Sequence, residues 1–289
     1  MRLHRFFIKD KINPKEKLVL RYFDNESILN QWKKVFRYLA GSRVVLFDGS
    51  GNDYLAIIEK LDTGEAVLRI LETNKTVVED EAAKSKTGVS AGKLGGNSKI
   101  DGNTVTFTKR GVGVGVGAIA KVIVKKPKVK VTILMSLIKN DNFDLVLQKA
   151  TELGVTQIVP VITERTIKKD LNMQRSQRIL VEASEQCGRV DVPVITPVKR
   201  LKEALSELSE SKTKEVGVFV CNMGGTNIKD ILSKKNTYKD LVFLIGPEGG
   251  WSPKEIALFD GAKIKSVSIN QNVLRAETAV LALLAVVLG

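Results

Sequence analysis

A glycine-rich turn that follows a buried strand contains the residues with the clearest chemical meaning. Residues 241–245 (LVFLI) are all apolar, which predicts a strand buried inside a parallel sheet. Glycines occupy three of the five positions in the following segment, GPEGG, so the backbone can approach a ligand with no Cβ in the way. Ligands of open α/β sheets bind beyond the carboxyl ends of strands, so this turn is a candidate binding site. A tight strand-to-helix connection without a ligand is the alternative interpretation.

A helix start follows the turn directly. Ser252 suits the N-cap, Pro253 suits the first helical position, and Glu255 completes a capping box with the serine. Residues 241–255 therefore predict a strand, a bare-backbone turn and a helix. Glu248 is the acidic residue of that turn, and its use is not evident from its position.

The composition excludes several kinds of site. The chain has two cysteines, Cys187 and Cys221, without CxxC spacing, and one histidine, His4. A zinc site or a disulfide framework is therefore not expected, no metal is assigned, and a Ser-His-Asp mechanism would need a histidine far in sequence from the turn.

The N-terminus lacks the apolar core of a signal peptide, and the longest apolar run, 279–288, is too short to span a bilayer. These features predict a cytoplasmic protein without a membrane partner.

The net charge of +14 at pH 7 indicates an anionic partner. A basic amphipathic helix of the membrane-binding type is missing from the sequence, so RNA or DNA is the predicted partner. Most of the excess charge lies in residues 81–130, which hold eleven basic and two acidic side chains.

Hydrophobic patterning divides the chain into three segments. Residues 1–72 predict a small β domain, with one helix over 28–39 that ends at Gly41. Residues 73–128 predict a basic Gly- and Lys-rich insertion and linker. Residues 129–289 alternate strands with helices, which predicts an α/β fold with a mostly parallel sheet covered on both faces. The strands of the first segment are predicted near 18–22, 43–47, 54–60 and 65–71.

Seven short segments, in order along the two outer parts of the chain, carry a resemblance to a known family. The chain resembles the RsmE family of 16S rRNA uridine-N3 methyltransferases, members of the SPOUT superfamily. Any one segment is a weak signal, whereas seven in order make a specific match. The segments are HRFF (4–7), LFDGSG (46–51), QKATELGV (148–155), ITER (162–165), EASEQCGR (182–189), LIGPEGGWSPKEI (244–256) and VLRAETA (273–279).

The resemblance implies both an architecture and an activity. It implies an N-terminal PUA-like β-barrel that binds RNA, a C-terminal α/β domain with a deep trefoil knot, and a homodimer whose active site lies at the subunit interface. The implied activity is methylation of N3 of a specific uridine in 16S rRNA of the small ribosomal subunit, with S-adenosylmethionine as the methyl donor. The candidate RNA-binding residues of the first domain are Arg2, Arg5, Arg21 and Arg37; for any one of them, a role in solvating the surface is the alternative.

The resemblance implies that two loops hold the donor, 244–250 and 268–278. Because the sulfonium group is cationic, backbone amides and apolar side chains suit it better than a phosphate-type nest does. The candidate cofactor-binding residues are Leu244, Gly246, Pro247, Glu248, Gly249, Gly250, Ile269, Asn270, Val273, Leu274 and Thr278.

Methylation of uracil N3 sets two chemical requirements. The N3 proton must be lost, and the negative charge that develops on the base needs a nearby cation. Arg275 is the first candidate for that cation, followed by Arg189 and Arg165. Glu185, Glu248 and Glu277 are candidates for the proton acceptor and stay unranked, since a structural role is as good an interpretation for each. The candidate catalytic residues are therefore Arg275, Glu277, Arg189 and Arg165.

The chain departs from the family pattern at several positions. Asn270 stands where the family usually has glycine, and Val190 where it has a small polar residue. Residues 139–143 (KNDNF) lack the usual glycine and basic residue. Residues 81–122 have no familiar counterpart in the family. Because this insertion is basic, we interpret it as an additional electrostatic contact with rRNA. Two other functions stay open. One is a non-catalytic rRNA-binding assembly factor of the same fold, and the other is a SPOUT ribose 2′-O-methyltransferase.

Overall fold

The computed structural model describes residues 3–75, 129–211, 215–233 and 238–289. The chain divides into two compact units, Met1–Lys126 and Pro127–Gly289. Arg2 and residues 76–128 of the predicted insertion lie outside the described residues.

The first unit is a five-stranded sheet with the order β1-β3-β4-β5-β2. Strands β1 and β3 are parallel and the other neighbours are antiparallel. The four strands expected in this segment are present, and β1 is an additional strand. The strands are β1 (Arg5–Phe7), β2 (Leu18–Arg21), β3 (Arg43–Phe47), β4 (Asn52–Leu61) and β5 (Glu65–Lys75).

The helix of the first unit is displaced from its predicted position. Helix α1 spans Tyr22–Asn30 and continues as a π-helical segment, Gln31–Val35. The expected end at Gly41 was wrong, because Arg37 already has a left-handed backbone with φ 52°. The amide of Tyr38 closes the helix end on the carbonyl oxygen of Trp32 at 2.9 Å, while the fully buried Trp32 ring anchors the segment in the core.

The second unit is built around a parallel sheet with the order β12-β10-β11-β6-β7-β8. All of its strand pairs are parallel, which confirms the predicted α/β class. Its strands are β6 (Lys130–Ser136), β7 (Gln157–Ile162), β8 (Val194–Ile195), β9 (Lys199–Arg200, paired with β7), β10 (Val216–Asn227), β11 (Asp240–Ile245) and β12 (Lys265–Ser268). Its helices are α2 (Asn140–Leu153), α3 (Met173–Cys187), α4 (Leu201–Ser211), α5 (Ile228–Ser233), α6 (Pro253–Gly261) and α7 (Ala276–Leu288).

Both faces of this sheet are buried, as the alternating pattern predicted. In β11, Phe243 and Ile245 join the core cluster that contains α2 and α7, whereas Leu244 joins the cluster that contains Trp251 and Phe259. This alternation follows from the two-residue period of a strand. A sheet covered on both faces leaves its carboxyl edge as the place where loops can form a site.

The end of the chain brings two loops to that edge. Strand β12 pairs with the outer side of β10, so the connection through α6 crosses over β10 after β11. Residues 269–275 then lead into α7, which packs on α2. Because β10, β11 and β12 are parallel, the segments that follow each of them meet at one edge. None of the helices within the described ranges is long and apolar enough to cross a membrane.

Candidate functional site

A cavity of about 430 Å³ lies at the carboxyl ends of β10, β11 and β12. Three stretches of chain form its walls: the end of β10, the glycine turn after β11 and the segment from the end of β12 into α7. Nine residues predicted from the sequence line it, namely Gly246, Pro247, Glu248, Gly250, Ile269, Asn270, Val273, Leu274 and Arg275. The two loops expected to form one site are therefore brought together.

Three predicted cofactor residues are not part of this lining. Leu244 is fully buried on the opposite face of β11, because it alternates with the cavity-side residue Ile245. Gly249 faces Arg165, whose Cβ would lie 3.3 Å from a Cβ placed on the glycine. Thr278 is an exposed residue of the first turn of α7.

The wall formed by the end of β10 was missed by the sequence interpretation. The strand was expected to end at Cys221, yet it continues to Asn227 after a shift in its pairing with β12 between Cys221 and Thr226. Cys221, Asn222 and Met223 consequently line the cavity. The adjacent pair Gly224-Gly225 was the available signal, since glycine inside a strand often marks a bulge or a close backbone approach.

Trp251 forms another wall that was not predicted. Its Nε1 donates a hydrogen bond to the carbonyl oxygen of Cys221 at 3.2 Å, and its ring meets Phe259 edge to face at 4.9 Å. A Cβ at Gly246 would lie 3.0 Å from the indole ring. The missing side chain at Gly246 therefore allows the turn to pack against Trp251. The hydrogen bond from Trp251 to Cys221 then fixes the end of β10.

The close approach at Gly225 leads to a prediction about stability. A Cβ there would lie 2.6 Å from backbone atoms of Ser266 and Val267, so β10 and β12 would have to separate. We expect Gly225→Ala to lower the free energy of unfolding by about 2 kcal/mol, as overpacking does. Gly224→Ala is the matched control: its Cβ would meet nothing within 4 Å, and only the backbone at φ 78° is strained, at about 1 kcal/mol. Urea denaturation measures both values, and equal losses would contradict the assignment.

Glu255 connects the turn to the loop after β7. The predicted capping box is present: Ser252 Oγ accepts from the Glu255 amide at 3.2 Å, and Glu255 Oε2 accepts from the Ser252 amide at 2.8 Å. The other carboxylate oxygen, Oε1, accepts from the amide of Glu164 at 2.8 Å. Arg165, the next residue, donates from Nη1 to the carbonyl oxygen of Gly249 at 2.7 Å. The carboxylate of Glu255 thus joins the start of α6 to the loop after β7, and the guanidinium of Arg165 joins that loop to the glycine turn.

The four predicted catalytic residues have different positions in the structure. Arg275 is exposed, forms the N-cap of α7 and lines the cavity. Glu277 is 8% exposed, and its Oε2 accepts no hydrogen bond from the described residues. Arg165 contacts the turn from outside the lining. Arg189 donates to the carbonyl oxygens of Thr151 and Val155 and pairs with Asp191 at 2.9 Å, so its guanidinium ties the end of α2 to the end of α3.

The predicted RNA-binding arginines also differ. Arg5 pairs with Asp53 at 2.6 Å and lies over the Phe47 ring, so its charge is already engaged. Arg21 and Arg37 are exposed. These observations give Arg21 and Arg37 the better access to a ligand in solution.

The two cysteines should differ in reactivity. Burial raises the pKa of the Cys221 thiol to about 12, whereas Cys187 is exposed. Because the thiolate is the nucleophile, we expect iodoacetamide at pH 8 to label Cys187 and to spare Cys221 in the folded protein. Mass spectrometry of tryptic peptides locates the label, and unfolding in guanidinium should expose the second thiol. Labelling of Cys221 in the folded protein would contradict this expectation.

Comparison with known proteins places the chain in a family. Residues 125–288 match the model of the RNA methyltransferase domain, and residues 33–71 match that of the RNA methyltransferase PUA domain. The chain is 31% identical over 166 residues to the ribosomal RNA small subunit methyltransferase E of Rickettsia conorii, covering 56% of this chain and 66% of that protein. The protein of the same name from Aquifex aeolicus is 30% identical over 172 residues, covering 57% and 71%. The alignments thus span about two thirds of the length of these relatives.

A solved structure extends the similarity to nearly the whole chain. It is that of a ribosomal RNA small subunit methyltransferase E from Neisseria gonorrhoeae bound to S-adenosyl methionine, with a TM-score of 0.72 and 25% identity. The match covers 98% of this chain and 96% of that one. From these matches and the shared fold, the chain belongs to the RNA methyltransferase family, among relatives named ribosomal RNA small subunit methyltransferase E.

Proposed function

We propose that this protein uses S-adenosylmethionine to methylate N3 of a uridine in 16S rRNA of the small ribosomal subunit. The observation that carries the proposal is the cavity at the carboxyl ends of β10, β11 and β12, which is lined by the glycine turn, by apolar side chains and by polar side chains that include Glu248 and Arg275. The names of the relatives and the donor bound to the Neisseria gonorrhoeae structure support it.

The residues present fit the methyl donor. A cavity of about 430 Å³ has the size of a small-molecule site. The absence of a side chain at Gly246 lets Trp251 pack against the turn, and the absence of one at Gly225 lets β12 lie close to β10. A Cβ at either position would disturb a wall of the cavity. Ile269 and Leu274 offer apolar surface for an adenine ring, and the turn offers backbone amides and carbonyls. The acidic Glu248 suits a cationic sulfonium.

The chemistry divides between the donor and the side chains of the chain. When bound, S-adenosylmethionine supplies an electrophilic methyl group. Arg275 places a permanent positive charge at the cavity, where it can stabilise the negative charge that spreads over O2 and O4 when N3 of uracil loses its proton. Glu248 lines the same cavity and is exposed, whereas Glu277 is buried outside the lining. Glu248 is therefore better placed to accept the proton, and Glu277 stays a candidate for a supporting role.

The proposal includes a homodimer with a shared active site, acting in the cytoplasm on small ribosomal subunits. In a single protomer the cavity is open to solvent at Val273, whose side chain is 74% exposed. Sedimentation equilibrium of the full chain tests the dimer, and a monomer that retains full methylation would contradict a shared site.

Nucleoside analysis tests the reaction itself. Small ribosomal subunits from a strain lacking the corresponding gene would be incubated with the protein and methyl-labelled S-adenosylmethionine, then digested to nucleosides. We expect labelled 3-methyluridine in the 16S rRNA. Labelled 2′-O-methyluridine would instead support the ribose methyltransferase. Calorimetry with S-adenosylmethionine tests the enzyme against a non-catalytic binder of the same fold: no binding of the donor at millimolar concentration would contradict the enzyme.

A further inference from the structure

Three aromatic rings of the first unit form a ladder at its surface. His4 is exposed and lies 4.2 Å, centroid to centroid, from Phe36. Phe36 in turn stacks on Tyr38 at 5.3 Å with only 14° between the ring planes. Phe36 and Tyr38 are half-buried, and both contact the buried Phe6 edge to face, which anchors the ladder in the core.

The backbone between the stacked rings is strained. Arg37 has φ 52°, a conformation that favours glycine at the end of a helix. Phe36 and Tyr38 flank this left-handed residue, and their rings lie nearly parallel to each other. Glycine would close the same helix end without strain, so the presence of arginine at this surface position favours a role for its side chain.

Two cations accompany the ladder. Arg37 and Lys34 are exposed, and neither side chain has an ion pair or a hydrogen bond among the described residues. The neighbouring Lys33 differs, because its Nζ donates to the carbonyl oxygen of Asp62. Aromatic rings at the surface and nearby cations are the two parts of a single-stranded nucleic-acid site: the rings stack on bases and the cations bind phosphates.

We propose that His4, Phe36 and Tyr38 form a stacking site for an unpaired base of the RNA substrate, with Arg37 and Lys34 on the adjacent phosphates. The identity of the ligand as RNA rests on the proposed function. The ladder favours an unpaired nucleotide over a duplex, because a base must leave its helix to present a face to a protein ring.

The variant Arg37→Gly separates function from stability. It removes the backbone strain and the charge together, so we expect a higher midpoint of thermal unfolding and an affinity for single-stranded RNA about fivefold lower. Phe36→Leu keeps an apolar side chain but removes the middle ring, which contacts both His4 and Tyr38 and holds them in place. We expect about a tenfold loss of affinity, the order found for one stacked base. The probe is a fluorescein-labelled ten-nucleotide single-stranded RNA of mixed sequence, and binding is followed by fluorescence anisotropy at fixed salt.

Matched controls come from the same unit. Phe23→Leu changes an aromatic residue that is 95% exposed but takes part in none of these ring contacts. Arg69→Gln removes an exposed positive charge on β5, a strand that β3 and β4 separate from β1 in the sheet order. Both should bind the probe within twofold of the parent protein. A parent-like affinity of Phe36→Leu, losses as large in Phe23→Leu, or equal losses with a duplex RNA of the same length would overturn the proposal.

The test of the stacking site can fail or succeed independently of the test of uridine methylation. Affinity for S-adenosylmethionine, measured by calorimetry, should be unchanged in Arg37→Gly and Phe36→Leu. If the parent protein binds the RNA probe through the ladder but forms no 3-methyluridine, the stacking site stands and the proposed reaction fails. If 3-methyluridine forms while the ladder variants bind and react like the parent, the stacking site fails and the reaction stands.

Discussion

Replacing Arg275 with alanine should slow methylation of 16S rRNA by about 10²- to 10³-fold, the usual cost of removing one group that stabilises a developing negative charge. Arg275 is the basic side chain in the lining of the cavity and stands at the N-cap of α7, where the loop from β12 ends. Loss of the charge leaves the uracil anion without its cation, while the backbone and apolar walls that hold the donor are intact. We therefore expect the turnover number to fall and the dissociation constant for S-adenosylmethionine to change little.

The readouts for Arg275 are single-turnover methylation of small subunits and calorimetry with the donor. Arg275→Lys keeps a positive charge without the planar fork of donors, so it should recover part of the rate. Lys254→Ala is the matched control, since Lys254 is an exposed cation of the first turn of α6 that lies outside the lining. A rate for Arg275→Ala within threefold of that control would remove Arg275 from the mechanism.

Replacing Glu255 with alanine should lower the free energy of unfolding by about 3 kcal/mol and weaken donor binding at the same time. The side chain is 5% exposed, and its two oxygens accept from the amides of Ser252 and Glu164, each at 2.8 Å. Truncation leaves both amides without an acceptor, and an unsatisfied buried donor costs about 1–3 kcal/mol. The loop after β7 then loses its tie to α6, so the glycine turn held by Arg165 is free to shift.

Urea denaturation and calorimetry with S-adenosylmethionine measure the two effects of Glu255→Ala. Glu203→Ala is a matched control in the same unit: its Oε2 also accepts from a backbone amide, that of Arg200 at 3.1 Å, but the site is exposed. Water replaces the lost acceptor there, so we expect a loss of about 0.5–1 kcal/mol and unchanged donor binding. Glu255→Gln retains the shape and one acceptor oxygen and should fall between the parent and Glu255→Ala. Equal losses for Glu203→Ala and Glu255→Ala would contradict the bridging role.

Local sequence rules were sufficient for the strand, the turn and the helix start at 241–255. An apolar run of five residues specifies a strand buried on both faces, and Ser252 with Glu255 specifies a helix N-terminus, because both signals act over a few residues. The alternation of strands and helices likewise predicted a parallel sheet with both faces covered. The family segments predicted that the loops after β11 and β12 form one site, and the structure brings them together.

Tertiary structure alone decided the rest of the site. Cys221, Asn222 and Met223 reach the cavity because β10 shifts its pairing with β12, and register is set by contacts between strands that are distant in sequence. Arg189 was a catalytic candidate by its place in a motif, yet its donors meet the end of α2, because the end of α3 packs there. The sequence predicted Glu255 only as part of a local helix cap, whereas its other carboxylate oxygen accepts a hydrogen bond from the amide of Glu164, 91 residues earlier. Short-range patterns specify which elements form, and long-range packing specifies which side chains of those elements share a site.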